Sequence, residues 1–243
     1  MLLLHVVFAT PLTALCQTRP GRAIRFGGRT LDEIMLRWWG LVTCRIFGLR
    51  RRVSGTLPRG PLLIAANHIS WLDIHLLLSV SAMGFVAKAE IDRWPLAGRL
   101  ARVGGTVFHQ RGSHDSANGV MSQMEARLQA GGRIAIFAEG GILPGPGIKR
   151  FHARLFGPAV ASDSTVQPVM LRYLRDGKLY EAITFLPGEH FLANVFRLLK
   201  QPPCTAEVRI LPPLAAAGRP RRELAAGCEN AVREAYESDP GHG

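Results

Sequence analysis

From residue 51 onward the chain alternates short apolar runs with longer stretches whose apolar positions recur at helical spacing. That alternation is expected of strands joined by crossover helices in a mostly parallel sheet. The apolar runs predict strands over 51–55, 62–66, 85–87, 106–109, 133–137, 166–173, 183–186 and 207–211. Helical patterning predicts helices over 70–82, 92–103, 116–130, 151–162, 191–200 and 221–237. Gly131-Gly132 and Pro202-Pro203 punctuate the ends of two of them. The expected fold class is α/β, a single domain with a mixed, mostly parallel sheet flanked by helices over 51–243.

The pattern changes before residue 51. "MLLLHVVFATPLTALC" is apolar for 16 residues but carries His5 and Pro11. It is shorter than the roughly 20 residues a bilayer-spanning helix needs, and it lacks the basic start of a signal peptide. A second helix is expected in "TLDEIMLRWWGLVTCRIFGLRRR". There Thr30 and Glu33 have capping-box spacing, and Arg50, Arg51 and Arg52 follow the last turn. Arg37 and Arg45 lie near one face, beside Trp38 and Trp39, ring types found at headgroup depth. Residues 1–50 therefore read as an N-terminal membrane-associated helical segment, with an ordinary helix packed on the domain as the alternative.

Composition narrows the partners. The 243 residues are 47% hydrophobic, enough for one sizeable core, and carry a formal net charge of +12 with 26 Arg against 4 Lys. A surface of that sign attracts anions such as lipid headgroups, nucleotides or acidic carriers. Nucleic acid is disfavoured, because the basic residues are spread along the chain and no zinc-finger spacing or aromatic ribonucleoprotein stretch occurs. Cys16, Cys44, Cys204 and Cys228 are far apart with no C-x-x-C pair, and read as reduced thiols.

The chemistry concentrates at "NHISWLD", directly after the apolar run ending at Ala66. His68 and Asp73 are five residues apart, which on one continuous helix would turn them about 140° from each other. If His68 instead ends a strand and Ser70 begins the next helix, the bend can return the carboxylate to the imidazole. A carboxylate bonded to one ring nitrogen fixes the tautomer, and the other nitrogen can then take a proton from a hydroxyl. Ser70 and Asp73 also have capping-box spacing, so a purely structural part for the acid stays open.

Other chemistries fit less well. A zinc hydrolase would draw on His68, Asp73 and His75 with Asp92 or His109, but no H-E-x-x-H or H-x-H pair occurs. The G-x-S-x-G elbow of serine hydrolases is missing, and "GGILPGPGIK" departs from the phosphate-loop pattern around its Lys.

"NHISWLD" resembles the first block, N-H-x-x-x-x-D, of the glycerolipid acyltransferases. "GGTVFHQRG" is similar to their second block through Gly105, Phe108 and Arg111, "FAEGG" to the third, F-P-E-G-T, and "VQPVML" to the fourth, in the family's order. The resemblance implies transfer of a fatty acyl group from acyl-CoA or acyl carrier protein, as co-substrate, to a lysolipid hydroxyl, with neither metal nor acyl-enzyme intermediate. It makes His68 the base and Asp73 its partner. It assigns Asn67, Arg111, Glu139 and Gly140 to substrate binding, and Lys149 and Arg150 offer further charge. Membrane phospholipid biosynthesis at the cytoplasmic face of a bacterial inner membrane is implied, with 1-acylglycerol-3-phosphate the first acceptor to consider. The third block departs from the family at Ala138, Gly141 and Ile142, which keeps open another lysophospholipid, lyso-ornithine lipid, or an inactive membrane-bound scaffold.

Overall fold

The computed structural model describes all residues except 1, 3, 4, 93–97, 99, 100, 103, 110–113, 143–146 and 239–243. Along the chain, a π-helical turn (His5–Ala9) leads into α1 (Thr10–Cys16) and α2 (Arg19–Ala23), and a small hairpin of β1 (Arg25–Phe26) and β2 (Arg29–Thr30) precedes α3 (Leu31–Ile46). Then come β3 (Leu49–Ser54), β4 (Leu62–Ala66), α4 (Leu72–Val80), β5 (Gly84–Lys88), α5 (Ala89–Asp92), β6 (Val107–His109), α6 (His114–Gln129) and β7 (Arg133–Phe137). A 3-10 turn (Ala153–Phe156) enters α7 (Gly157–Ala161), and β8 (Thr165–Arg175), β9 (Lys178–Leu179), α8 (Phe191–Leu199), β10 (Cys204–Ile210) and α9 (Arg221–Glu237) follow.

Among the described residues the main sheet has eight strands, in the order β3-β10-β8-β4-β7-β5-β6 with β9 paired to β8. β4, β5, β6, β7 and β8 run parallel, while β10 is antiparallel to β8 and β3 is parallel to β10. All five residues of β4 are buried, as a central strand covered on both faces requires. Its side chains alternate between two cores: Leu62, Ile64 and Ala66 pack with α3, α4 and α8, while Leu63 and Ala65 pack with α6, α7 and α9. The chain is thus an α/β domain of three layers with a mixed sheet.

Two predicted elements differ. The strand expected over 183–186 is a 3-10 turn (Glu181–Ile183) and a loop. Side chains meet its backbone there in place of a ladder: Asn194 and Arg197 donate to the Thr184 carbonyl, and Glu189 accepts from the Leu186 N–H. The helix expected over 151–162 is broken in two, because Pro158 lacks the N–H that would continue the first turn. The predicted helix over 92–103 falls largely outside the described residues.

At the amino terminus, α3 begins with the capping box seen in the sequence, Thr30 N–H donating to Glu33 Oε2 at 3.1 Å. His5 joins α3 through Thr43 Oγ1 at 2.9 Å, and Trp39 Nε1 donates to Thr10 Oγ1 at 3.1 Å. Among the described residues, no helix is long and apolar enough to cross a membrane.

Candidate active site

Where β4 ends, the side chain of Asn67 continues the ladder. Its Nδ2 donates to the Leu171 carbonyl at 2.9 Å, and its Oδ1 accepts from the Leu171 N–H at 2.8 Å. On the other side the Ala138 N–H donates to the Ala66 carbonyl at 3.0 Å. The chain therefore leaves the sheet clamped on both flanks, and His68 is the first residue free of it.

Three elements then fix His68. Its backbone N–H donates to Glu139 Oε2 at 2.7 Å, and its ring lies flat on Phe137 with centroids 3.7 Å apart and planes 8° from parallel. Its Nδ1 sits 2.9 Å from Asp73 Oδ2. The bend inferred from the sequence is present: Ser70 and Trp71 turn the chain, and Asp73 falls in the first turn of α4.

Asp73 is 0% exposed and serves four donors. Oδ2 accepts from the Ile69 N–H at 2.7 Å, from the Ser70 N–H at 2.9 Å and from His68; Oδ1 accepts from the Tyr173 hydroxyl at 2.6 Å. An ionised carboxylate only accepts, so the His68 proton belongs on Nδ1 and Nε2 keeps its lone pair. That is the tautomer a general base needs. The same Asp73 oxygen thus both holds the turn and bonds the imidazole.

Glu139 ties the loops after β4 and β7 together, with Oε2 on the His68 N–H and Oε1 accepting from the Lys149 N–H at 2.7 Å. Burial pushes its carboxyl above the ordinary glutamate value, and those two backbone donors oppose the shift. Gly140 turns at φ +80°, and a Cβ there would lie 3.0 Å from the His152 ring. A side chain at this position would be strained and crowded.

These groups border a cleft of about 100 Å³, open to solvent, at the carboxyl edge of the parallel strands. Asn67, His68, Glu139 and Lys149 line it together with Tyr173, Tyr180 and Tyr236. Arg150 is exposed and does not line it, and Arg111 lies outside the described residues. Gly140 stands beside it in the turn after Glu139.

Tyr173 escaped the sequence reading. It stands 100 residues from Asp73, and the available signal was a tyrosine inside a strand buried along nearly its whole length, whose hydroxyl must find a buried partner. Trp71 helps anchor the turn: its Nε1 donates to Asn194 Oδ1 at 2.9 Å and its ring packs edge-on against Phe47 and Phe191. His75, a candidate ligand in the zinc reading, instead packs on Trp39 with centroids 4.6 Å apart. Among the described residues, no three His, Cys, Asp or Glu side chains converge as a metal set would.

An α/β sheet that presents a carboxylate-bonded imidazole at the edge of an open cleft has the geometry that general-base chemistry requires. The chain belongs to the Acyltransferase family, whose model matches residues 50–172. It is 38% identical over 203 residues to a lyso-ornithine lipid O-acyltransferase of Pseudomonas aeruginosa, covering 84% of this chain and 78% of that one. It is also 38% identical over 116 residues to a 1-acyl-sn-glycerol-3-phosphate acyltransferase of Neisseria gonorrhoeae, covering 48% and 45% of the two chains. The crystal structure of the 1-acyl-sn-glycerophosphate acyltransferase PlsC from Thermotoga maritima superposes with a TM-score of 0.77 at 19% identity, over 99% of this chain and 92% of that one, and so shares the fold.

Proposed function

We propose that the chain is an O-acyltransferase that moves a fatty acyl group from acyl-CoA or acyl carrier protein to the free hydroxyl of a lysolipid, in membrane phospholipid biosynthesis. The observation that carries this reading is the 2.9 Å contact between His68 Nδ1 and a fully buried Asp73, with His68 at the cleft wall. His68 Nε2 takes the proton of the acceptor hydroxyl as its oxygen attacks the thioester carbonyl. The tetrahedral intermediate then collapses, the carbon–sulfur bond breaks, and the departing thiolate takes the proton back from His68. Asp73 stabilises the imidazolium that exists between these steps. Base and acid are thus the same nitrogen, and no acyl-enzyme forms.

Asn67 and Glu139 work in this scheme by holding the His68 loop, because their polar side-chain atoms bond backbone groups. Lys149 at the cleft wall, with Arg111, supplies positive charge for an anionic acceptor. Residues 1–50 place the domain on the cytoplasmic face of the inner membrane. Support comes from Phe8, Leu15 and Phe26, which are 66%, 66% and 60% exposed, and from Trp38 at 42%.

1-Acylglycerol-3-phosphate remains the first acceptor, since Lys149 stands at the wall and the first, second and fourth blocks match. Lyso-ornithine lipid is the second reading, favoured by the longer match to enzymes of that name and by Gly141 and Ile142, which offer no side-chain donor where the family's third block has Thr. Purified protein given an acyl thioester with each lysolipid in turn should acylate one in preference. His68→Ala should abolish that turnover, and equal traces from wild type and variant would leave only the scaffold reading.

A further inference from the structure

A second cleft, of about 1140 Å³, lies at the other edge of the sheet, where β4 and β7 begin and β3 and β10 end. It shares no lining residue with the first cleft. β4 alone separates them by about 13 Å at the usual rise per residue. Its walls come from the amino-terminal piece on one side and from the domain on the other, with six arginines among the lining residues against Asp32 and Glu33. Glu33 caps α3, and Asp32 Oδ2 lies 3.5 Å from Arg22 Nε, while Asp32 Oδ1 is buried without a hydrogen-bond partner among the described residues. Arg127 and Arg133 are set in the far wall by carbonyl and hydroxyl acceptors, including the Pro58 carbonyl at 2.8 Å and Ser81 Oγ at 2.9 Å.

Gln17, 2% exposed, lines this cleft, and neither its Nε2 nor its Oε1 finds a partner among the described residues. The buried Nε of Arg37 is likewise without one. Unpaired buried donors cost roughly 1–3 kcal/mol each, so Gln17 Nε2 and Arg37 Nε beside a basic cleft point to a ligand that brings acceptor oxygens. We propose that this cleft binds a phosphate ester, gripped by the guanidinium groups of Arg29 and Arg37 with the Gln17 amide as a further donor. Planar guanidinium forks match phosphate oxygens in pairs, and Leu36, Val80 and Met83, which also line the cleft, suit the organic part of an ester. Burial, then the charges of Arg29 and Arg51, push the Arg37 guanidinium below its ordinary value, and burial with Arg22 does the same to Arg127. Such a ligand would pin residues 1–50 to the domain, whatever the acceptor at His68.

The shared chemistry can come from a lipid headgroup or a dissolved ester, and two probes separate these sources. One is inorganic pyrophosphate, read as a saturable rise in Tm at fixed ionic strength. The other is vesicles of phosphatidylglycerol in phosphatidylcholine, read by co-sedimentation against phosphatidylcholine alone. At least one probe should bind saturably to the full chain, with affinity unchanged in His68→Ala and in a charge-matched control, Arg221→Gln with Arg222→Gln. Affinity should fall at least about fivefold in Arg29→Gln with Arg37→Gln. Gln17→Leu and Arg37→Lys, which preserve volume and charge respectively, should each weaken it as well, and they carry the test if the double variant does not fold. Absence of saturable binding by either probe overturns the proposal, as does equal weakening by the cleft and control pairs, or loss in His68→Ala.

Discussion

Replacing Asp73 by asparagine separates the two parts this residue plays. Oδ2 gathers three N–H donors and Oδ1 faces only the Tyr173 hydroxyl. In the Asp73→Asn variant the amide oxygen takes the three-donor position, and the NH₂ turns to the tyrosine oxygen, which accepts as readily as it donates. The turn is kept, the weaker neutral bonds are offset by the relief of a buried charge, and unfolding free energy should change by about 1–2 kcal/mol at most. What disappears is the negative charge facing the imidazolium. Unit charges about 4 Å apart at an effective dielectric near 20 interact by about 4 kcal/mol. With tenfold in rate per roughly 1.4 kcal/mol, kcat should fall about 10³-fold. Steady-state release of free thiol at saturating acyl thioester and lysolipid measures this, with circular dichroism and a urea melt on the same sample. A folded Asp73→Asn enzyme within about tenfold of wild-type kcat would show that the carboxylate is a cap and nothing more.

Tyr173→Phe keeps the ring packing and removes one donor to a buried charge, so urea unfolding should show a loss of about 1–3 kcal/mol and kcat should fall by less than in Asp73→Asn. Glu139→Gln must aim its NH₂ at either the His68 or the Lys149 N–H, orphaning one of them, for a further loss of about 1–3 kcal/mol in the same assay. Because burial raises the Glu139 pKa, the folded protein binds this proton at pH values where the unfolded chain has released it. Its contribution to stability therefore declines as pH rises from the ordinary glutamate value through the raised one, and urea midpoints of Glu139→Gln across that window should lack that decline. His75 shows the opposite slope: burial takes its imidazole down to about 4. Between pH 6.5 and 4 the unfolded chain binds a proton that the folded chain refuses, so stability should fall by roughly 3 kcal/mol on acidification across that range. His75→Phe should flatten that part of the pH profile in calorimetric melts.

Much of this architecture was written locally. The runs at Leu62–Ala66 and Arg133–Phe137 are uninterrupted because both faces of those strands are covered, and Arg221–Glu237 is a regular amphipathic helix. The His68–Asp73 pairing was also within reach, since it needs only a bend of five residues. Contacts made across the fold were not. The Asn67–Leu171 clamp joins positions 104 apart in sequence, and Glu139 reaches His68 over 71. Both residues looked like substrate groups because a polar side chain at a strand end suits either role, and the backbone groups they satisfy become unpaired only once the sheet forms. The strand expected over 183–186 failed for a related reason: Asn194, Arg197 and Glu189 act from the next helix and the turn before it.

The flat stack of His68 on Phe137 has a consequence for the rhythm of turnover. With one face of the imidazole covered by Phe137 and its Nδ1 tethered to Asp73, the ring is held against rotation about its Cβ–Cγ bond. Each proton it accepts leaves by the door it entered, so no slow reorientation stands between one acceptor molecule and the next.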